Sequence, residues 1–501
     1  MKNNVKAFAV SLVALVSLCA CSQTKYADET DEAIINQLEV VNREDGVYGN
    51  IYLPTEIEGA TVVWKSADKK VIDTIGDEQK APGVVHRQAE DKTVKLTAII
   101  NKDGVKTQYE QEVLVKAAPQ EIKDEDYKAY LFGHFVGESY GKTVGGQKVA
   151  TGEQMFFALA DVGQGLKFKD MNGSKMNNLK PVLSSDVGER GVRDPFICRS
   201  PEGDSFYLIA TDLSVYTRGG WGNNNGTGKF TITGSHSITL WESHDLVNWT
   251  DARLIEVATP NAGMAWAPEM IYSEETGEYV IFFSSTIIED KAIHERDCIY
   301  YTTTRDFVHF GETKKFIKNQ PYPEGKEDPQ KQQDSPKAIN NNERKSIDAS
   351  VMKIGDWYYS ACKDGNNHED GGILIQKTQN LFDIDSWQKV MDLDDLGLKV
   401  DGNRVANNKC LEGPEWFYLN QADRKDADIP EIGLMADLYA DTSKGYIPFS
   451  TTNVEDPTTN SWRLLTRNTD FSWDAQTKRH GTILRITEEE ASRLKEAYPI
   501  A

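Results

Sequence analysis

One short phrase recurs five times in the second part of the chain, and it constrains the fold more than any other feature. Each copy places an ionisable residue at the start of a short apolar run that is typical of a buried strand. Consecutive copies lie roughly 60 to 85 residues apart, and self-similarity at such a spacing indicates a repeat architecture. The copies occupy residues 193–197, 266–271, 346–351, 411–417 and 479–484.

The repeat opened by Asp194 reads as four strands in succession: DPFICRS, SFYLIATDL, SITLWES and RLIEV. Five repeats of four strands predict a five-bladed β-propeller, so the predicted fold class is all-β. The first repeat supplies only three strands, which lie within residues 130–171. We expect residues 480–487, near the other end of the chain, to supply its missing innermost strand and close the ring.

A shorter series of strands precedes the repeats. Four runs are typical of strands: VYGNIYL, TVVWKSA, TVKLTAII and QYEQEVLVK. Residues 101–104 predict a hairpin turn. They resemble the degenerate bacterial immunoglobulin-like domains. The sequence therefore predicts a small immunoglobulin-like β-sandwich over 47–118, a charged linker over 119–126 and the propeller over 127–501. A spacer role is favoured for the sandwich over carbohydrate binding, because it shows no concentration of ionisable residues.

The first twenty residues have the form of an export signal. Lys2 and Lys6 precede the apolar run 7–18, which is too short to span a bilayer as a helix. The run ends in LCAC, which resembles a bacterial lipobox with Cys21 as the acylated first mature residue; an ordinary signal peptide is the alternative. We therefore expect a signal over 1–20, a polar tether over 21–46 and a lipid-anchored protein of the bacterial outer membrane, on its periplasmic or surface face.

Composition limits the partners of this chain. It has 501 residues, of which 39% are hydrophobic and 27% are charged, as in a globular protein. The net charge of −22 speaks against nucleic acid, whose phosphates require a basic surface. The six cysteines include no C-x-x-C pair and predict no disulfide framework. We expect a monomer that contacts the membrane only through its lipid anchor.

Propeller topology brings the repeated ionisable residues together. The residues that begin the innermost strands share one end of the central channel, and the long segments 137–152, 214–236 and 318–345 rim that mouth. Hydrolysis of a glycosidic bond needs one carboxyl group that is protonated and another that is ionised, in environments that keep their pKa values apart. The residues that we expect to converge are Asp194, Glu269, Asp348, Glu412 and His480.

The five blade sequences VRDPFI, AWAPEMIY, SIDASVMKIGDWYYS, LEGPEWFY and RHGTILRI resemble those of glycoside hydrolase family 43. That family comprises arabinanases, α-L-arabinofuranosidases and β-xylosidases with a five-bladed propeller, and the resemblance covers about residues 127–486. It implies that Asp194 is the general base that activates water and that Glu412 is the general acid. It implies that Asp348 orients the acid and raises its pKa, although Asp348-Ala349 departs from the usual Asp-Pro.

The resemblance also implies further site residues. Trp266 resembles the family's tryptophan whose indole ring stacks against the sugar, with packing in the core as the alternative. Glu269 stands where the family often has another carboxylate, and capping of a turn is the alternative. His480 resembles the histidine that faces an axial calcium or the sugar. No cofactor is required, and a structural Ca²⁺ on the axis stays open because no dense oxygen-ligand motif is present. Trp221 and His134 are rim candidates on geometry.

These observations predict an inverting exo-glycosidase that acts on side chains of plant or similar polysaccharides, or on oligosaccharides. An α-L-arabinofuranosidase is favoured, with a β-xylosidase or a galactoside-acting enzyme of the same family as the alternative. The absence of a groove-like series of exposed aromatic residues favours exo action. A non-catalytic glycan-binding propeller is the alternative of another class, but a binder has no need of three separately placed carboxylates.

Overall fold

The computed structural model describes residues 29–224, 228–290, 293–321, 337–338, 343–364, 372–398, 411–439, 445–476 and 478–500. The predicted signal over 1–20, the lipobox with Cys21 and most of the insert 318–345 lie outside the described residues. Cys198, Cys298 and Cys362 are free thiols. Neither α-helix in these ranges has the length and apolar character that a membrane crossing would need.

The first unit is a small β-sandwich with one helix packed onto it. A four-stranded antiparallel sheet has the order β1-β2-β5-β6, and β3 pairs with β4. The predicted hairpin turn forms between β5 and β6, where Asp103 and Gly104 both have positive φ. The elements are α1 (Glu29–Leu38), β1 (Glu56–Ile57), β2 (Ala60–Ser66), β3 (Ile72–Asp73), β4 (Val84–Val85), β5 (Lys92–Lys102) and β6 (Val105–Val115).

The predicted tether over 21–46 is wrong from residue 29 onwards. Ile34 and Leu38 are one helical turn apart, so they lie on the same face of α1. Both are buried in the core of the sandwich, together with Val40 and Trp64. The chain therefore joins the sandwich well before residue 47, because this short helix covers one side of its apolar core.

The rest of the chain forms five four-stranded antiparallel sheets, one for each predicted blade. Blade one contains β7 (Tyr127–His134), β8 (Gly141–Val144), β9 (Gln147–Ala150), β10 (Phe156–Asp161), β11 (Leu166–Lys167) and β12 (Lys169–Asp170). Blade two contains β13 (Val192–Arg199), β14 (Phe206–Asp212), β15 (Ser237–Ser243) and β16 (Arg253–Glu256). Blade three contains β17 (Trp266–Ser273), β18 (Glu278–Ser285), β19 (Ile288–Asp290), β20 (Ile293–His294), β21 (Cys298–Thr304) and β22 (Lys314–Ile317), with β23 (Lys337–Ala338) paired to β20.

The last two blades complete the ring. Blade four contains β24 (Ser346–Ile354), β25 (Trp357–Asp364), β26 (Gly372–Thr378) and β27 (Gln388–Asp392). Blade five contains β28 (Leu411–Tyr418), β29 (Ile432–Leu438), β30 (Tyr446–Thr451) and β31 (Trp462–Leu464), followed by β32 (Phe471–Ser472). The chain ends with β33 (Thr482–Thr487) and α2 (Glu488–Ala497).

The predicted closure of the ring is confirmed. The sheet of blade one has the order β12-β10-β7-β33, so the strand nearest to the axis comes from the C-terminal end of the chain. The innermost strands β13, β17, β24, β28 and β33 contact one another in turn, and β33 also contacts β13. A closed ring leaves no innermost strand without neighbours, which makes a propeller a rigid support for a site at its axis.

Packing between the blades holds the ring together. Each pair of neighbouring blades encloses its own apolar cluster, and the cluster between blades five and one includes Tyr130, Phe132, Phe417 and Met435. Full burial of one such side chain stabilises a fold by about 1.5 to 3 kcal/mol. The inner faces of the blades are therefore fixed relative to one another.

The sandwich packs against the end of the propeller that lies opposite the starts of the innermost strands. Arg87 donates hydrogen bonds to Asp204, in the β13–β14 turn, at 2.8 and 2.6 Å. The guanidinium of Arg305 donates to the carbonyl of Pro82 at 2.7 Å, and Tyr48 stacks on His244 with 3.9 Å between ring centres. The sandwich therefore leaves the end where the predicted site residues begin their strands uncovered.

Candidate active site

Four of the five innermost strands contain the same bulge near their first residues. The strand register shifts there, and the bulge residue has φ of 48° at Asp194, 46° at Ala267, 55° at Asp348 and 53° at Gly413. At three of these positions a proline follows, which has no N–H to give to the ladder. A bulge re-aims its side chain, and Asp194 and Asp348 both occupy it.

Backbone amides at the starts of the innermost strands form a series of hydrogen bonds between blades. In each case a side-chain oxygen of the preceding blade accepts from a backbone N–H at the start of the next innermost strand. Thr211 accepts from Ala267 (2.7 Å), Ser284 from Asp348 (2.8 Å), Asp348 from Gly413 (3.1 Å) and the Tyr446 hydroxyl from Gly481 (3.0 Å). Because these four amides have partners on the preceding blade, the starts of their strands are fixed relative to it.

Asp194 is held by a hydroxyl group and by an imidazole. Thr211 Oγ1 donates to Oδ2 at 3.0 Å, and Nδ1 of His480 lies 3.4 Å from Oδ1. Burial alone would raise the pKa of Asp194, but the hydrogen bond and charge of His480 and the charge of Arg193 lower it. Asp194 is thus a carboxylate whose side chain is 17% exposed, which suits a group that accepts a proton from water.

Asp348 fixes the backbone beside the predicted acid. Its Oδ2 accepts the N–H of Gly413, the residue directly after Glu412, at 3.1 Å. Burial and the repulsion of the neighbouring carboxylates raise the pKa of Asp348 to about 6, against an opposing effect of His480. The structure therefore gives Asp348 two properties that a positioning carboxyl group needs, a bond to the chain that carries the acid and a proton that it keeps in weakly acidic solution.

Glu412 is surrounded by cations. Lys363 Nζ donates to Oε2 at 2.7 Å, and Nη2 of Arg479 lies 3.8 Å from Oε1. Arg479 is itself anchored by Asp437, whose Oδ2 accepts from Nε at 2.5 Å. Burial favours the neutral form of Glu412, but Lys363 and Arg479 outweigh this and lower its pKa.

The expected raised pKa of Glu412 is therefore wrong for the free protein, where the pKa of the adjacent Asp348 is raised instead. The physical reason is the ammonium group of Lys363, which the sequence reasoning did not include. Lys363 lies in a middle strand, β25, and contacts Glu412 across the boundary between two blades. No local pattern marks such a residue.

Glu269 does not lie at the mouth, contrary to the prediction. It follows the bulge residue Ala267 by two positions, and Glu415 has the same place after Gly413, so both point into a layer below the bulges. Glu269 is 3% exposed. Burial and the charge of Glu415 raise the pKa of Glu269, while burial raises that of Glu415 to about 7. The two side chains form a buried acid pair beneath the site.

The predicted rim position of His134 is also wrong. The residue is 0% exposed, and its ring lies against Phe132 and Phe156. Nδ1 lies 3.1 Å from the carbonyl oxygen of Phe135. Burial and the nearby charge of Lys478 lower the pKa of His134 well below its ordinary value. His134 ends strand β7 inside blade one, where it packs as a neutral core residue.

His480 pairs with a carboxylate at the axis. Burial alone would lower its pKa, but Asp194 and Asp348 raise it to about 9. A β-carbon at Gly413 would lie 2.5 Å from Cγ of His480, so the imidazole packs directly on that strand. Calcium takes about six to eight oxygen ligands, and the described residues contain no group of three or more His, Cys, Asp and Glu that could hold a metal ion. Calcium at His480 therefore stays a prediction.

A row of stacked groups leads from the rim to Glu412. The guanidinium carbon of Arg193 lies 5.5 Å from the ring centre of Trp221 and 4.5 Å from that of Phe135. The guanidinium carbon of Arg479 lies 5.6 Å from the ring centre of the same Phe135. Glu138 bridges the two arginines, at 3.1 Å from Arg193 and 4.0 Å from Arg479. Trp221, 42% exposed, is therefore held at the rim as a flat apolar surface that a sugar ring can cover.

Trp266 is partly exposed at the start of β17 and packs against the cluster of Leu213, Val215 and Phe230. Its Nε1 is buried and has no hydrogen-bond partner among the residues that the structure describes. The side chain thus supports the rim loop that carries Trp221. Its contact with a sugar stays a prediction.

The hairpin β8–β9 forms one side of the rim around the mouth. It packs on the loop between β14 and β15 so closely that a β-carbon at Gly141 would lie 2.3 Å from the ring of Tyr216. Lys148 covers the same ring, with Nζ 5.9 Å from its centre. The rim segments 137–152 and 214–236 that were predicted from the sequence therefore contact each other beside blades one and two.

Comparison with family profiles gives two matches. Residues 125–492 match the family described as "Probable glycosyl hydrolase domain", which is related to glycosyl hydrolase family 43. This match covers more than half of the 501 residues. Residues 27–118 match the atrophied bacterial Ig domain, which agrees with the entry of α1 into the sandwich.

Single proteins show similarity as well. An α-L-arabinofuranosidase of Bifidobacterium longum subsp. longum is 30% identical over 437 residues, which are 79% of this chain and 36% of that protein. The chain thus spans about a third of the length of this curated relative. Among solved structures, a family 43 β-1,3-galactosidase is 10% identical, with 70% of this chain and 57% of that chain covered and a TM-score of 0.38. A thermostable family 43 glycoside hydrolase is 12% identical, with coverage of 68% and 96% and a TM-score of 0.37.

Proposed function

The chain belongs to the glycosyl hydrolase family that is related to family 43, and on that premise we propose that it is an exo-acting, inverting α-L-arabinofuranosidase. The observation that carries the proposal is the grouping of Asp194, Asp348 and Glu412 at one mouth. All three are partly exposed, and each has a different set of partners. The choice of sugar is supported by the α-L-arabinofuranosidase that is 30% identical to this chain.

In the proposed reaction each carboxyl group has one task. Asp194 accepts a proton from the water that attacks the anomeric carbon, and Glu412 donates a proton to the departing oxygen. Asp348 keeps the backbone of Glu412 in place and, below its pKa of about 6, keeps a proton within the pair. The bond to the leaving oxygen breaks as the bond to water forms, so the anomeric configuration inverts.

The rim supports exo action. The contact between hairpin β8–β9 and the loop that carries Trp221 blocks one side of the mouth. A long polysaccharide cannot pass straight through a site that is closed on one side, whereas a terminal arabinofuranosyl residue can enter it. Trp221 then offers its exposed ring to the next sugar.

A panel of 4-nitrophenyl glycosides tests this function. We expect the α-L-arabinofuranoside to be hydrolysed faster than the β-D-xylopyranoside and the β-D-galactopyranosides, and proton NMR should show the β-anomer as the first-formed sugar. The Asp194→Asn variant, purified in the same way, controls for contaminating glycosidases. Faster hydrolysis of a xyloside or galactoside would contradict the sugar assignment, and an α-anomer as first product would contradict inversion. Tight binding of arabinan without hydrolysis would identify a glycan-binding propeller.

We also propose that the mature protein is a lipoprotein anchored through Cys21. The support is the LCAC sequence that follows two lysines and a short apolar run. Mass spectrometry of the membrane fraction should find diacylated or triacylated Cys21 as the first residue, and Cys21→Ala should release the protein into the soluble fraction. A mature N-terminus elsewhere, without lipid, would contradict the anchor.

A further inference from the structure

Lys363 connects two blades at the level of the mouth. It lies near the end of β25 and pairs through its backbone with Ile347, the residue before Asp348. Its buried ammonium group donates to Oε2 of Glu412 at 2.7 Å and lies 4.3 Å from the ring centre of Tyr439. A side chain from blade four therefore holds the carboxylate of blade five in one orientation.

This contact is stronger than an ordinary surface ion pair. The exposed fractions are 8% for the side chain of Lys363 and 25% for that of Glu412, so water screens the pair only partly. A hydrogen bond between two ionised groups is about twice as strong as one between neutral groups. Arg479 approaches the other oxygen of Glu412 at 3.8 Å without such a bond. Lys363 is therefore the main restraint on the carboxylate.

We propose that Lys363 is a positioning residue for the general acid, which holds Glu412 in place at the mouth and limits the alkaline range of the enzyme. The proposal rests on the function proposed above. A cation beside a carboxyl group favours loss of its proton, so the Asp348–Glu412 pair gives up the proton needed by the leaving group at a lower pH than it would without Lys363.

Other charged groups face this pair and act in both directions. Burial favours a neutral pair, and the neighbouring carboxylates add to this effect, while the cations oppose it. Lys363 is the strongest of the cations acting on Glu412. The groups that face Glu412 or Lys363 are Asp348, Lys345, Asp437, Arg479 and His480.

The test is the pH profile of kcat/KM on an alkyl α-L-arabinofuranoside, whose alcohol needs a proton to leave. In the wild type we expect kcat/KM to fall as the pH rises above about 6, the pKa of Asp348. In Lys363→Met this alkaline limb of the pH profile should shift to higher pH by about one to three units. The value of kcat should fall about 10- to 100-fold, because the acid is less well placed. Lys363→Arg keeps the charge and should keep the wild-type limb.

Lys377→Met is a matched control. Lys377 Nζ lies 2.7 Å from Oε1 of Glu455 and 4.4 Å from the ring centre of Trp357. Like Lys363, it therefore contacts one glutamate and one aromatic ring. It pairs with Tyr359 near the opposite end of blade four. Its removal should leave the pH profile and kcat unchanged. A Lys363→Met profile that coincides with the wild-type profile would overturn the proposal.

A double-mutant cycle on urea unfolding separates this proposal from the proposed function. Lys363→Met and Glu412→Gln are compared singly and together, and their effects on stability should be non-additive because the two groups touch. Additive effects would overturn the contact. Non-additive effects in a protein that cleaves none of the panel glycosides would overturn the proposed function alone.

Discussion

Asp194→Asn should lower kcat/KM on every glycoside by about 10²- to 10⁴-fold, the usual contribution of a general base. The amide keeps the shape of the side chain and an oxygen that can accept from Thr211. It cannot take a proton from water, and it removes the charge that pairs with His480. Initial rates on the 4-nitrophenyl and 2,4-dinitrophenyl α-L-arabinofuranosides measure the loss.

Equal losses on both leaving groups are expected here, because activation of water is needed whichever group departs. Asp245→Asn is the control, since this carboxylate accepts backbone N–H groups of Val247 and Asn248 in the turn after β15. It should lose stability and keep activity. Azide should not rescue Asp194→Asn through a glycosyl azide of retained configuration. Activity within about tenfold of the wild type would remove Asp194 from the base role.

The architecture could be predicted because its signals are local and repeated. Each blade repeats one strand order, and a missing strand at one end matched a spare strand at the other end of the chain. Three of the four bulges coincide with a proline in the sequence, at Asp194-Pro195, Ala267-Pro268 and Gly413-Pro414. At Asp348, where alanine follows, the same bulge forms without proline. Its N–H donates to a side chain, that of Ser284, and its φ is positive, as at Ala267 and Gly413, which proline follows, so the bulge does not depend on proline.

The misplacement of Glu269 has a physical origin in the same bulges. Side chains alternate between the two faces of a strand, and one extra residue reverses the alternation beyond it. Glu269 comes after the bulge and is buried, whereas Glu412 comes before Gly413 and reaches the mouth. A sequence pattern in which both glutamates stand at the start of a strand cannot tell which of them is buried. His134 was placed by its position at a strand end, but its ring turns into the core of blade one.

Contacts between blades were not predictable from the sequence. Lys363 and Arg479 both face Glu412, although they are far from it in the chain. Lys363 lies outside the recurring phrase, and Arg479 opens its fifth copy, where no local signal shows that it faces Glu412. They lower the pKa of the predicted acid, while burial and the neighbouring carboxylates raise the pKa of Asp348. The site residues were therefore found from local signals, but their ionisation depends on neighbours that only the fold brings together.

Glu412→Gln should lose about 10²- to 10⁴-fold in kcat/KM on alkyl α-L-arabinofuranosides, because an amide has no proton to give to the leaving alcohol. On the 2,4-dinitrophenyl glycoside the loss should be less than about tenfold, since that phenolate departs without a proton. The carboxamide oxygen can still accept from Lys363, so the local structure should persist. The ratio of the two losses, measured on the same preparation, is the informative quantity.

Glu455→Gln is the matched control for this ratio. Glu455 pairs with Lys377 at 2.7 Å and accepts from the hydroxyl of Tyr359, also at 2.7 Å. Glu455→Gln removes one negative charge, as Glu412→Gln does, but the variant should keep wild-type rates on both substrates. In Glu412→Gln the alkaline limb above about pH 6 should also disappear on the alkyl substrate, because the amide cannot pass the proton of the Asp348–Glu412 pair to the leaving group. Equal losses on the two leaving groups would remove Glu412 from the acid role and leave Asp348, the carboxyl group with the raised pKa, as the proton donor to test next.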